Sequence, residues 1–182
     1  NFVIKNFVIF MDISELGEIG LIKSIAAKAK LFSKDVVKGI GDDAAVVNFD
    51  KKNCLLLTTD TLVEDDHFKL AWFSPEQIGK KAIESNVSDI AAMGGFPKYA
   101  LISLILAKDT DVEFIDGLYK GINKAAKKYK ISVIGGNLTH GKEISITATI
   151  VGFVEKKKMC LRGNAKAGDL ILVTGDLGAS RA

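Results

Sequence analysis

Six aspartates, Asp42, Asp43, Asp60, Asp65, Asp66 and Asp89, crowd into four short stretches: Gly39-Ile-Gly-Asp-Asp-Ala, Thr58-Thr-Asp-Thr, Glu64-Asp-Asp-His and Asn86-Val-Ser-Asp. Each stretch adjoins an apolar segment suited to a core. Two carboxylates about 4 Å apart repel by roughly 4 kcal/mol at an effective dielectric near 20, so acids converging at a core edge are best tolerated when hard cations bridge them. The hydroxyls of Thr58, Thr59 and Thr61 flank Asp60 and add oxygen donors without thiol or imidazole, a ligand chemistry that suits magnesium. These residues together imply a magnesium-dependent phosphate site.

Other motifs are less decisive. Gly39-Ile-Gly-Asp-Asp reads either as a turn or as a loop that brings backbone close to a phosphate while its acids hold the metal. His67 follows two acids and is either incidental or a contact for a substrate phosphate. Gly135-Gly136-Asn137 is either a simple turn or a loop approached by a nucleotide. The stretch Gly136-Asn-Leu-Thr-His-Gly-Lys142 comes near a phosphate-binding P-loop but fails it, because Glu143 stands where Ser or Thr must hold magnesium and a strand pattern follows instead of a helix. A calcium-binding EF-hand starting at Asp60 fails because its sixth position is Asp65 rather than Gly.

The elements that must position these groups follow from periodicity and punctuation. Leu16, Ile19, Ile22, Ile25, Ala26 and Ala29 recur at near-helical spacing and predict an amphipathic helix over residues 14–31. Strands are expected over residues 44–49 and 54–59, joined by the polar turn Asp50-Lys-Lys-Asn. Ser74-Pro-Glu-Gln is a helix start with a capping box, and that helix should end near Met93-Gly-Gly. Along it Ala82, Asn86, Asp89 and Met93 share one stripe, which places an amide and a carboxylate among apolar neighbours, where they need partners. A strand over residues 98–107, a helix over 112–129, a short buried strand over 131–134, a long strand over 143–155 and a last strand over 169–174 complete the series. This order predicts an α+β fold, a mixed β-sheet with helices packed on one face.

Composition bounds the function classes. The 182 residues are 48% hydrophobic and 26% charged, which suits one globular domain of ordinary size. The net charge is only +3 and Arg occurs only at positions 162 and 181, so an Arg-read nucleic-acid groove is not indicated. Cys54, Cys160, His67 and His140 lack the spacing of a disulfide framework or a zinc site, and a reduced, cytoplasmic setting is expected. No apolar run reaches the roughly 20 residues that span a bilayer, so no membrane partner is expected.

Taken together, Gly39-Ile-Gly-Asp-Asp-Ala-Ala-Val-Val, Thr58-Thr-Asp-Thr-Leu-Val-Glu-Asp-Asp-His-Phe, Asn86-Val-Ser-Asp-Ile-Ala-Ala-Met-Gly-Gly-Phe-Pro, Ile134-Gly-Gly-Asn and Arg162-Gly-Asn-Ala-Lys-Ala-Gly-Asp resemble the N-terminal half of the thiamine-monophosphate kinases. The resemblance spans about residues 11 to 182. It implies the N-terminal domain of the aminoimidazole ribonucleotide synthetase type, several magnesium ions, and ATP and thiamine monophosphate as substrates. The activity it implies is direct phosphorylation of thiamine monophosphate to thiamine diphosphate, without a covalent enzyme intermediate. By this resemblance Asp43, Thr58, Thr59, Asp60 and Asp89 fall on magnesium-binding positions, His67 on a substrate-contacting position, Arg162 on an ATP-contacting position, and Gly136 with its neighbour Asn137 in a nucleotide-binding loop. Asn137 stands where the family carries a metal-binding aspartate; its amide oxygen can still ligate, and magnesium affinity there should be lower. A homodimer is implied as well.

The expected organisation is an extension over residues 1–10 ahead of a native start at Met11, an N-terminal ATP- and magnesium-binding and dimerisation domain over 11–168, and the start of a truncated C-terminal domain over 169–182. Residues 1–10 also read as an edge strand. A fragment of this kind is expected to have little kinase activity alone. The rival readings are another ATP-using member of the superfamily acting on an amide or carbamoyl group, and a non-catalytic dimerisation or metal-binding module.

Overall fold

A computed structural model describes residues 13–173 and Gly175. The expected extension over residues 1–10, and the chain end after Val173 apart from Gly175, lie outside the described residues. In chain order the elements are α1 (Ile13–Lys28), β1 (Val36–Lys38), β2 (Ala45–Asn48), β3 (Asn53–Val63), α2 (Pro75–Ala92), β4 (Phe96–Leu106), α3 (Val112–Tyr129), β5 (Ser132–His140), β6 (Ser145–Glu155) and a 3-10 turn at Arg162–Asn164.

The strands form one mixed sheet in the order β1-β2-β3-β6-β4-β5. Every described neighbour pair is antiparallel except β4 with β5, which run parallel and are joined through α3. A parallel pair needs such a crossover, whereas β2 and β3 are joined by a tight turn. In that turn the Asp50 carboxylate accepts bonds from the backbone N–H of Lys52 and Asn53, each at 2.7 Å.

Alternation along the strands puts Leu56 and Leu62 of β3, Ile146, Ala148 and Ile150 of β6, and Ala100 and Ile102 of β4 on one face, where they are buried with Ile78, Ile83 and Ile90 of α2. The α2 start is as expected: the Ser74 hydroxyl accepts from Gln77 N–H at 3.3 Å, and Ser74 N–H donates to Gln77 Oε1 at 2.8 Å. The Ala82, Asn86 and Met93 stripe is buried, and Asn86 Nδ2 donates to the Ala82 carbonyl at 3.1 Å. Helix α3 lies against α2 at very short range. A Cβ on Gly121 would stand 1.9 Å from the Glu76 carbonyl oxygen, so glycine is what permits the approach.

Four expectations are corrected. Helix α1 is interrupted at Gly17 and ends at Lys28, and its apolar stripe is not in the core, since Ile19 is 71% exposed. Periodicity reports that a helix has an apolar face but not what the face meets, and α2 already covers the sheet. Strand β1 was not anticipated, because three residues are too few to show a period. Strand β5 is nine residues long and mostly exposed rather than short and buried, with Gly135, Gly136 and Asn137 inside it. Gly136 serves close packing there: a Cβ would stand 1.7 Å from the Ile102 carbonyl oxygen of β4. The last expected strand is absent over residues 169–173, where Leu170, Ile171 and Leu172 are all exposed. An apolar run becomes a strand only when another strand pairs with it.

Candidate functional site

Strand β3 continues to Val63, so Thr58-Thr-Asp-Thr lies within the strand rather than at its end. The period of two then sorts its side chains. Thr58 and Asp60 face α2, and the Thr58 hydroxyl donates to Asp89 Oδ2 at 2.6 Å. Thr59 and Thr61 face the opposite side of the sheet, where their hydroxyls are bonded to those of Thr149 and Thr147, each at 2.9 Å.

The loop between β1 and β2 brings Asp42 and Asp43 to the same edge, and the 3-10 turn brings Arg162. The result is a cleft of about 760 Å³ walled on one side by Asp42, Asp43, Thr58, Asp60, Asp89 and Arg162, with Ile19 and Ile22 of α1 and Ile40 as apolar neighbours. Thr59 reaches its rim. Residues far apart in the chain, from position 42 to position 162, thus converge on one concave surface.

The electrostatics of the cleft follow from this crowding. Burial pushes the Asp89 carboxyl above the usual carboxylate range, and the charges of Asp60 and Asp43 push it further, while the Thr58 bond and Arg162 oppose the shift. The Arg162 guanidinium contacts Asp43 Oδ1, and that bond raises its pKa further. The Arg162 backbone N–H also points at the Asp42 carboxylate, 3.4 and 3.3 Å from its two oxygens. Among the described residues no three acidic, imidazole or thiol side chains close on a ready-made metal cage. Apart from the cationic Lys23 and Arg162, the polar side chains that line the cleft are carboxylates and hydroxyls, a set of oxygens that fits a hard divalent cation and not a soft one.

The remaining candidates lie elsewhere. His67 follows the far end of β3, where its Nδ1 accepts from Val63 N–H at 3.3 Å and stands 3.2 Å from Asp66 Oδ2; it does not line the cleft. Asp65 and Asp66 stay with it. Gly136 and Asn137 lie at the other edge of the sheet. The register runs from Asp60 to Ala148, Ile102 and Gly136 across four strands. Three strand spacings amount to about 14 Å, and the intervening Ala148 and Ile102 are buried, so Asn137 shares no ion with Asp60 within one chain.

Gly136 and Asn137 instead border a second groove of about 400 Å³ with Ile115, Tyr119 and Leu138. Tyr119 was not singled out in the sequence, where an aromatic at helical spacing reads as core. Its position one turn from Ile115 on α3, ahead of the glycine pair, is the signal that was there to find.

The profile described as AIR synthase related protein, N-terminal domain, matches residues 41–154. The chain belongs to this family. Within this AIR synthase related domain the matched segment contains Asp43, Thr58, Asp60, Asp89, Gly136 and Asn137, while α1 and Arg162 lie outside it. The chain is similar to the thiamine-monophosphate kinase of Bacillus subtilis (strain 168), with 42% identity over 92% of this chain and 51% of that protein. It is 46% identical to the thiamine-monophosphate kinase of Aquifex aeolicus (strain VF5), over 94% of this chain and 53% of that one. In three dimensions it resembles the solved structure of AaThiL complexed with AMPPCP and TMP, with a TM-score of 0.79 and 43% identity over 88% of this chain and 49% of that chain. The chain spans about half the length of the curated relatives it matches. The α+β fold with helices on one face of a mixed sheet is thus the AIR synthase related N-terminal fold.

Proposed function

We propose that this chain is the phosphate- and metal-handling half of an enzyme that phosphorylates thiamine monophosphate with ATP and magnesium to give thiamine diphosphate. The observation that carries the reading is the convergence of Asp43, Thr58, Asp60 and Asp89, with Arg162, on one cleft. The similarity to thiamine-monophosphate kinases, and to a structure holding AMPPCP and TMP, supports the choice of substrates.

In this reading Asp43, Asp60 and Asp89 would hold divalent ions, with the Thr58 hydroxyl as a further oxygen donor; the Thr59 hydroxyl is turned to the other face of the sheet, so Thr59 contributes to the rim alone. Magnesium, when bound, neutralises the two facing polyanions and orients the phosphoryl group that moves. The substrate phosphate is already ionised at neutral pH, so the protein needs no general base. Its oxygen attacks the γ-phosphorus directly as the bond to the β-phosphate oxygen breaks, and ADP leaves. Arg162 meets anionic phosphate at the rim. The groove of Tyr119, Gly136 and Asn137 is a second nucleotide surface, and His67 is assigned to the substrate.

The open sheet face supports a homodimer. It carries Leu57 and Phe153 with the partly exposed Tyr99, Leu101 and Ile105, an apolar row that a second copy would cover. Cys54 and Cys160 are both free thiols, in keeping with a cytoplasmic setting, and no described helix is long and apolar enough to cross a membrane.

Phosphorus NMR of a mixture of the protein, ATP, magnesium chloride and thiamine monophosphate tests the reading. With the complete polypeptide the diphosphate ester of thiamine should appear, and should fail to appear without magnesium. Residues 1 to 182 alone should show little turnover; consumption of ATP without a thiamine diphosphate signal would overturn the substrate assignment.

A further inference from the structure

Two cations line the cleft among the described residues, Lys23 and Arg162, and of the two it is Arg162 that is ion-paired with one of its acids. Its guanidinium contacts Asp43, and its ordinary pKa is raised by Asp43 first and also by Asp42 and Asp89. Its backbone N–H is tied separately to the Asp42 carboxylate. The two attachments differ in kind. The backbone tie holds the 3-10 turn against the loop, and the upstream chain is pinned by Cys160 N–H donating to the Met93 carbonyl at 3.1 Å. The guanidinium is on a flexible stem, 64% exposed, and its partner Asp43 is one of the groups proposed to bind magnesium.

We infer that Arg162 is a placeholder cation: its guanidinium occupies Asp43 until a divalent ion takes that carboxylate, and is then released to bind anionic phosphate. This rests on the magnesium reading of the cleft. The pair is open to water on its Arg162 side, where screening keeps such a contact weak, so it yields to a doubly charged ion, while the backbone tie keeps the turn in place. Only a side-chain rotation is needed. The exchange links the two ligands: metal binding delivers the arginine to the phosphates, and the metal-free cleft is spared some of the repulsion among its acids.

A structural pin and a placeholder differ in the sign of their effects. Calorimetric titration of magnesium chloride into the intact protein without nucleotide should show tighter binding in Arg162→Ala, by roughly two- to fivefold, the scale of an exposed ion pair. Arg162→Lys should lie between that variant and the natural protein. Binding of AMPPCP with magnesium present should move the other way and weaken in Arg162→Ala. Adding Asp43→Asn should abolish the tightening, because the contested carboxylate is gone. If the natural protein binds magnesium and Arg162→Ala binds it equally or more weakly, the placeholder is overturned and the metal reading stands. If the natural protein shows no magnesium binding, both fall together.

Discussion

Thr58 on β3 donates its hydroxyl to Asp89 on α2 across 2.6 Å, and this bond joins the sheet to the helix at the floor of the acidic cleft. Thr58 is itself buried, so the bond is shielded from competing water. It does two things at once. It satisfies a carboxylate that burial and two neighbouring acids make costly to ionise, and it sets the orientation in which that carboxylate faces Asp60 and Asp43.

Replacing Thr58 by Val keeps the shape and removes the donor. A hydrogen bond to a charged group is worth about 1.5–3 kcal/mol, and Thr58→Val should lose stability of that order in urea denaturation. Magnesium binding should weaken as well, because Asp89 loses its orientation. Stability equal to that of the natural protein would mean that the bond has no energetic weight.

Asp89 shows the opposite balance. Its ionised form is opposed by burial first and by Asp60 and Asp43 next. Asp89→Asn removes one negative charge yet keeps an oxygen to accept from Thr58. Its melting temperature at pH 7 without divalent ions should therefore exceed that of the natural protein, while added magnesium should raise it less. A lower melting temperature in the metal-free variant would contradict the view that the cleft is under like-charge strain.

Asn137 provides a test of separation. It lies three strands from Asp60, beyond the reach of any ion held by the acids. Asn137→Asp should leave the magnesium titration of the nucleotide-free protein unchanged and should tighten magnesium dependence only when a nucleotide is present. A change without nucleotide would show that the acids and position 137 share an ion, by a route that one chain does not provide.

The α2–α3 seam supplies a pH signature. Lys120 first, and Lys124 with it, hold the Glu76 carboxyl below the usual carboxylate range. A carboxyl with a depressed folded pKa contributes stability that is fully present above its unfolded value and is lost as pH falls through the folded value. Glu76→Gln should thus lower the melting temperature slightly at pH 7 and not at about pH 3. An equal deficit at both values would assign the effect to packing. The pair is solvent-exposed, so the difference is expected to be small and to shrink in high salt.

Much of the architecture can be read from local chemistry. The capping box at Ser74 and Gln77, the buried stripe through Ala82, Asn86 and Met93, and the alternation in β6 are written within single segments, and a side-chain period or a cap needs no distant partner. The identity of the acids and hydroxyls is equally local, and it is the ground on which hard cations and phosphate are proposed as ligands of the site. What a segment packs against is not local. Ile19 and Leu170 are apolar without being core, and Gly136 lies in a strand because β5 pairs with β4, so closely that the Ile102 carbonyl leaves no room for a Cβ.

The composition of the site shows the same division. Residue types pointed to Asp43, Thr58, Asp60 and Asp89 and the family resemblance added Arg162, but only the pairing of β3 with its neighbours and the docking of α2 brought them to one cleft. The same pairing carried Gly136 and Asn137 to the opposite edge and turned Thr59 and Thr61 to the other face of the sheet. Side-chain chemistry belongs to each residue by itself, whereas distance between residues belongs to strand register and helix packing, which arise only when the whole chain buries its apolar surface together.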